Sequence, residues 1–184
     1  MKIFALIILC NIWYAVGFCQ SNGPQQVSPT VLAQLKSDVE KQVQVFKKQL
    51  NGKDLSALEI SFTVDTFRIE RTSSMKMNID YSTAGMNKAM IEKAIAYDLL
   101  LNSYYKLLMG KLKPADKTAL IAAQRAWLTF RNAEQKLIAT LAKTEYSGGG
   151  TIQSNIVYGN YTDLVVRRTL AIFDYYRNLL RNNE

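Results

Sequence analysis

Three segments of the chain place apolar side chains at alternating steps of three and four residues, and this spacing constrains the fold more than any other feature. The repeat positions are Met90, Ala94, Tyr97, Leu101, Tyr104 and Leu108; Leu120, Ala123, Trp127, Phe130, Glu134, Leu137 and Leu141; and Tyr161, Val165, Arg168, Ile172, Tyr175 and Leu179. Such spacing draws one mainly apolar stripe along each helix. Because short or glycine-containing connections join these segments, we predict an all-α, antiparallel helical bundle of four to five helices.

The segments that precede the repeats are less uniform. Ser28 followed by Pro29 is typical of a helix start, and apolar residues recur from Leu32 to Leu50, where Asn51 and Gly52 end the pattern. Residues 54–80 fit either a helix or a strand, because their apolar residues satisfy both periods. No hairpin partner is nearby, so we favour a helix with an irregular stretch over residues 73–80.

The N-terminus has the pattern of an export signal. Residues 1–19 carry Lys2, an apolar run and small residues before Gln20, which predicts a secretory signal peptide cleaved after Cys19. A membrane anchor and a lipid-modified Cys19 are the alternatives, although the apolar run is shorter than a bilayer span requires. We expect a periplasmic or secreted protein with a flexible leader over residues 20–28 and one helical domain over residues 29–184.

The amino-acid inventory excludes several kinds of chemistry. The chain has no histidine, and its two cysteines, Cys10 and Cys19, both lie in the predicted signal peptide. Zinc sites, cysteine proteases and Ser/His/Asp triads are therefore excluded, and we predict a protein that is not an enzyme and needs no metal or cofactor. Loss of Lys2 lowers the net charge from +8 to +7. This charge favours an anionic envelope partner over nucleic acid in an exported protein.

Charged residues occupy the predicted helix stripes. Glu134 and Arg168 lie in the stripes, and Asp98 and Arg131 lie beside them. Unpaired buried charges are costly, so we predict a structural ion-pair network. Its members are Asp98, Gln124, Arg131, Glu134 and Arg168. The alternative makes Asp98 and Glu134 the acid/base pair of a hydrolase, but neighbouring arginines would favour the ionised form of both carboxyls and so disfavour a general acid.

The run LLNSYYKLL at 100–108 and the pattern L-x-x-A-Q-R-A-W-L-x-F-R-N from Leu120 to Asn132 resemble the lysozyme inhibitor LprI-like family. The resemblance covers roughly residues 80–180. It implies a small all-α secreted or envelope domain with lysozyme inhibition as its activity. Members often carry cysteines near the positions of Ala89, Gln135 and residues 158–161, and this chain has none there.

The segment KTEYSGGGTIQ, residues 143–153, is the candidate binding loop. Its glycines allow close backbone approach, and Tyr146 is a rigid aromatic anchor among small polar residues. The predicted binding residues are Glu145, Tyr146, Ser147, Gly148, Gly149, Gly150, Thr151 and Gln153. Two alternatives are an anion site at the free amides of residues 148–151 and a simple linker. It is not a nucleotide P-loop, because the Gly-Lys-Ser/Thr ending is absent.

These observations support one leading hypothesis: an exported helical protein that inhibits lysozyme or another cell-wall-degrading enzyme by inserting this loop into its cleft. An envelope module that binds anionic polymer or lipid headgroups is the alternative, and a carboxylate-dependent hydrolase is the third. Animal-type lysozymes are strongly basic, so a chain of +7 charge needs a locally acidic contact face to bind one.

Overall fold

A computed structural model of the protein describes residues 23–182, and these residues form six helices and no strand. The helices are α1 (Pro29–Leu50), α2 (Ala57–Ile79), α3 (Thr83–Lys111), α4 (Lys117–Leu141), α5 (Thr144–Ser147) and α6 (Ile152–Arg181). The predicted all-α bundle is therefore confirmed. The signal peptide and both alternatives for it lie outside the described residues. Within residues 23–182, no helix is both long enough and apolar enough to cross a membrane.

Serine side chains start three of the helices, and the start predicted at Ser28 is confirmed. Ser28 caps α1, Ser82 caps α3, and Ser56 forms a capping box with Glu59 at the start of α2. The helix prediction for residues 54–80 is confirmed, but the irregular stretch over residues 73–80 is wrong, since α2 continues to Ile79. The buried hydroxyl of Ser73 donates to the carbonyl of Ala89 on α3 at 3.4 Å, and Ile79 packs against α1. These contacts keep the last turns helical.

Helices α3 and α6 run parallel, whereas α1 with α2, α2 with α3, and α4 with α6 run antiparallel. Three side chains of α6 donate to carbonyls of α3 that lie 72 residues earlier: Asn155 to Thr83 at 3.5 Å, Thr162 to Met90 at 3.0 Å, and Thr169 to Tyr97 at 3.1 Å. A constant separation over successive steps of seven residues requires parallel helices in fixed register. The stripe predicted for α6 is only partly inside, because Val165 and Ile172 are buried but Tyr175 is 54% exposed.

Aromatic residues fill the centre of the bundle. The Phe62 ring of α2 stacks on Phe173 of α6 with centroids 3.7 Å apart, and it meets Tyr104 of α3 edge-on at 5.3 Å. Burial raises the pKa of the Tyr104 hydroxyl to about 12. A second cluster joins α1 and α2 through Leu35, Val39 and Val43. The two clusters make α1, α2, α3 and α6 the packed frame of the molecule.

Helix α4 packs differently from the prediction. Leu120 is the only fully buried residue of α4. The helix as a whole contacts chiefly α6. Apart from Leu120 and Trp127, the apolar residues of the predicted stripe turn outward, and Phe130, Leu137 and Leu141 are 52%, 51% and 53% exposed. We call the exposed apolar face the outer stripe; it consists of Ala119, Ala123, Ala126, Phe130, Ala133, Leu137 and Leu141. The helix is rotated by roughly 50°, half of the 100° between successive residues, from the predicted orientation.

Candidate functional site

A tryptophan between two guanidinium groups forms the contact of α4 with α6. The Cζ atom of Arg131 lies 5.2 Å from the Trp127 ring centroid, and that of Arg168 lies 5.8 Å away. Arg131 also lies 6.0 Å from the Tyr161 ring centroid, and Arg168 Nε donates to Gln124 Oε1 at 3.0 Å. Cation–π contact and one hydrogen bond from a guanidinium group to a neutral amide thus fix the inner face of α4 on the frame.

The predicted ion-pair network is wrong in its charge pairs. Asp98 accepts from Asn102 on its own helix, and Arg131 donates to the side chain of Asn132. No ion pair found among the described residues includes Asp98, Glu134 or Arg168. The guanidinium group is planar and weakly hydrated, so aromatic faces and an amide oxygen can take the place of carboxylates. Only the link between Gln124 and Arg168 remains of the predicted network.

Arg168 is the most constrained of these charges. Its Nη2 atom is buried without a hydrogen-bond partner. Burial lowers the pKa of its guanidinium group, while Tyr175 and Tyr105 act in the opposite direction. Because a cation in this position depends on Gln124 and Trp127, the cluster is suited to holding α4 in place.

The hydrolase alternative needs Asp98 and Glu134 to act together, but no hydrogen bond among the described residues links them to each other or to a shared partner. Asp98 and Glu134 are each half-buried, on α3 and α4. Neither lines the two clefts beside the contact of α2 with α3, each of about 300 Å³, which are formed around Lys76 and Glu92. Within the described part of the chain, no group of three or more acidic residues could hold a metal ion. Nothing in this geometry favours the hydrolase interpretation.

The predicted binding loop is an ordered turn. A single helical turn, α5, ends at Gly148, and Gly148, Gly149 and Gly150 have φ values of 76°, 84° and 94°. Three consecutive left-handed residues explain the three glycines, since a side chain at these φ values is strained. The Ser147 hydroxyl closes the turn, because it lies 3.0 Å from the Ala142 carbonyl and accepts from the Gly149 N–H at 3.1 Å.

The tip of this turn offers an aromatic ring to solvent. The Tyr146 side chain is 63% exposed, and the neighbouring Glu145 carboxylate is 61% exposed, 4.0 Å from the Lys143 ammonium group. Thr151 is also exposed, and Gln153 donates to the Gly149 carbonyl at 3.4 Å. We define the Tyr146 turn as residues 143–153.

The turn uses amides that the anion-site alternative requires. The Gly148 N–H donates to the Thr144 carbonyl, and the Gly149 N–H donates to the Ser147 hydroxyl. Two of the four amides at residues 148–151 are therefore already paired within the turn. An anion would have to bind through the remaining two, which weakens that alternative.

Sequence reasoning missed the outward rotation of α4. A second series with the same spacing was present in the sequence: Leu120, Gln124, Trp127, Arg131, Glu134 and Ile138. Its members are half-buried or buried, whereas those of the outer stripe are exposed. The spacing of Trp127 and Arg131 was the available signal, because residues four apart lie on one face of a helix and the guanidinium group can contact the ring.

The fold and the turn define a class of protein: a helical bundle that holds a glycine-closed turn at its surface. Sequence comparison supplies the family. The profile described as lysozyme inhibitor LprI matches residues 74–171, just over half of the chain, and the chain belongs to this family. The match extends from the end of α2 into α6 and includes Trp127, Arg168 and the Tyr146 turn. Neither the curated proteins nor the solved structures contain a significant match.

Proposed function

We propose that the protein is an exported inhibitor of a lysozyme-type enzyme and that it acts through the Tyr146 turn. Family membership supports the activity, and the exposed Tyr146 ring on a conformationally fixed turn supports the site. A rigid aromatic anchor loses little conformational entropy on binding, which favours affinity from a small contact.

The chemistry of a polysaccharide-cleaving cleft fits this turn. Such clefts contain two carboxyl groups on either side of the bond to be cut. The Tyr146 hydroxyl can donate a hydrogen bond to a carboxylate, and its ring can occupy space that a sugar ring would fill. Inhibition by this route is competitive with substrate.

Charge narrows the choice of target. The chain carries +8 overall, or +7 without Lys2, and Lys143 lies beside Glu145 at the turn. The turn is therefore not an acidic face, and long-range attraction to a strongly basic lysozyme is absent. We expect tighter inhibition of a neutral or acidic cell-wall hydrolase than of a strongly basic one.

A cell-wall lysis assay tests the proposal. Purified residues 20–184 should slow lysis at micromolar concentration, and Tyr146→Ala should abolish the effect. Tyr175→Ala is the matched control, because Tyr175 is a 54% exposed tyrosine on α6. Absence of inhibition by the unmodified chain, against neutral and basic enzymes alike, would refute the function. Equal inhibition by Tyr146→Ala would refute only the site.

A basic corner supports a second candidate function, the binding of anionic envelope polymer or lipid headgroups. Lys106, Lys111, Lys113 and Lys117 lie around the connection from α3 to α4, and none forms an ion pair within the described residues. Binding to vesicles of anionic phosphatidylglycerol should exceed binding to neutral phosphatidylcholine and should weaken as salt rises. Salt-independent binding would rule this function out.

A further inference from the structure

The outer stripe of α4 is an apolar face that the rest of the described chain leaves uncovered. Phe130, Leu137 and Leu141 are each about half exposed, and they belong to neither hydrophobic cluster of residues 23–182. The same helix turns Gln124, Trp127 and Arg131 toward α6. A helix that places polar side chains in its contact with its own bundle, and leaves a phenylalanine and two leucines half exposed, is suited to packing against a second surface.

The outer stripe has the spacing of a coiled-coil seam. Ala123, Phe130 and Leu137 recur every seven residues and occupy position a of a heptad lettered a to g. Ala119, Ala126, Ala133 and Thr140 are the corresponding d positions. The two largest side chains of this seam, Phe130 and Leu137, therefore stand at position a, and alanine stands at three of the four occurrences of position d.

This division of sizes selects one arrangement of two helices. In a parallel pair, a positions face a positions and d positions face d positions, so Phe130 would meet Phe130 and alanines would meet alanines. In an antiparallel pair, each a position faces a d position of the other helix. Phe130 and Leu137 then each meet an alanine, Ala123 meets Thr140, and alternating large and small side chains pack without voids. The pattern is complementary to an antiparallel copy of itself.

We propose that the protein forms a homodimer through antiparallel packing of α4 against α4 of a second copy. Phe130 packs on Ala133 of the second copy, and Leu137 packs on Ala126. The contact runs most of the length of α4, which is about 38 Å for a 25-residue helix.

Charge does not oppose this contact. The g positions that flank the seam on its open side are Ala122, Thr129 and Lys136. In the antiparallel register, Lys136 lies near Thr129 of the second copy rather than near another lysine. Like-charge repulsion, which could otherwise prevent the association of two chains of +7 charge, is therefore small within the seam. It remains at long range, so dimerisation should strengthen with salt.

Sedimentation or light scattering of residues 20–184 tests the proposal across micromolar concentrations. The chain should reach twice its monomer mass, and Phe130→Glu should leave it monomeric with an unchanged far-UV circular dichroism spectrum. Val45→Glu is the control, because Val45 is a 57% exposed apolar residue on α1, away from α4. The proposal is overturned if the unmodified chain stays monomeric, or if Phe130→Glu leaves the dimer intact.

A residue exchange tests the antiparallel register. Leu137→Ala leaves alanine facing alanine, and Ala126→Leu places leucine against leucine. Each single change should raise the dimer dissociation constant about tenfold or more, which corresponds to about 1.4 kcal/mol. The double variant Ala126→Leu, Leu137→Ala restores one large and one small residue in each layer, so its dissociation constant should return toward that of the unmodified chain. If the double variant is no better than the singles, the antiparallel register is wrong.

A third outcome separates a second copy from a target enzyme. If the chain is monomeric and Phe130→Glu removes lysozyme inhibition, the outer stripe belongs to the enzyme contact and the homodimer is refuted. If Phe130→Glu gives a monomer that still inhibits, the dimer contact and the Tyr146 turn are separate surfaces, as we propose.

Discussion

Substitution of Gly149 by alanine gives the sharpest test of the Tyr146 turn. Gly149 has φ +84°, and an added Cβ would lie 3.2 Å from Thr144 Oγ1 and 3.3 Å from Thr144 Cγ2. Left-handed backbone costs a non-glycine residue roughly 1–2 kcal/mol. The close contact with Thr144 adds to this, so we expect Gly149→Ala to destabilise the protein by about 2 kcal/mol, which lowers Tm by about 4–8 °C.

Two other glycines provide matched controls for this change. Gly148 also has positive φ, at +76°, but an added Cβ would meet nothing within 4 Å, so Gly148→Ala should cost only the backbone term. Gly110 lies in α3 with an open position for Cβ and no positive φ. Gly110→Ala should therefore stabilise the protein, by up to about 1 kcal/mol.

Thermal unfolding followed by circular dichroism should rank the Tm values as Gly110→Ala above the unmodified chain, then Gly148→Ala, then Gly149→Ala. The same ranking is expected for the inhibition of lysis, except that Gly110→Ala should inhibit like the unmodified chain. If Gly149→Ala is as stable as Gly110→Ala, the left-handed turn is not required and the assigned geometry is wrong.

Three further predictions concern the frame. Gln124→Ala leaves Arg168 Nε unpaired and should cost about 1–3 kcal/mol in unfolding free energy, while exposed Gln135→Ala should not alter Tm; equal Tm values would contradict the role of Gln124. Trp127→Leu removes the ring beside two guanidinium groups and should lower the unfolding free energy by about 1 kcal/mol or more, and with it Tm, with little loss of helix signal; an unchanged Tm would show that the arginines do not depend on the ring. Hydrogen bonds from the Ser56 backbone and hydroxyl lower the pKa of Glu59, so the ionised carboxylate stabilises α2 above about pH 4.5, and this contribution is lost as the pH falls through the lowered value. The Tm advantage of the unmodified chain over Glu59→Gln should therefore be present at pH 7 and shrink in acid, and a pH-independent difference would refute this linkage.

Most of the helical frame was predictable from the sequence because serine caps and apolar spacing act locally. Ser28 starts α1 as predicted, and Ser56 and Ser82 cap α2 and α3 in the same local way. The orientation of α4 was not predictable in the same way, because its residues form two series of equal spacing that share Leu120, Trp127 and Glu134 and differ at the positions between them. Hydrophobicity alone selects the series through Phe130, whereas the bundle selects the series through Gln124 and Arg131, which contact Arg168 and Trp127 respectively.

The candidate site was predictable in part for a related reason. The turn at residues 143–153 follows from three consecutive glycines, and the structure gives all three positive φ. The charge pairs were not predictable, because spacing along α3, α4 and α6 does not fix which side chains meet across helices. Asp98 pairs within its own helix, and Arg168 takes a neutral amide instead of a carboxylate.

Steady-state kinetics of a lysozyme-type enzyme on a soluble oligosaccharide test most directly whether the Tyr146 turn occupies the substrate cleft. With the unmodified chain present, KM should rise in proportion to inhibitor concentration while kcat stays constant, and Tyr146→Ala should remove the rise. A fall in kcat at unchanged KM, or no effect on either constant, would contradict the proposed mode of inhibition.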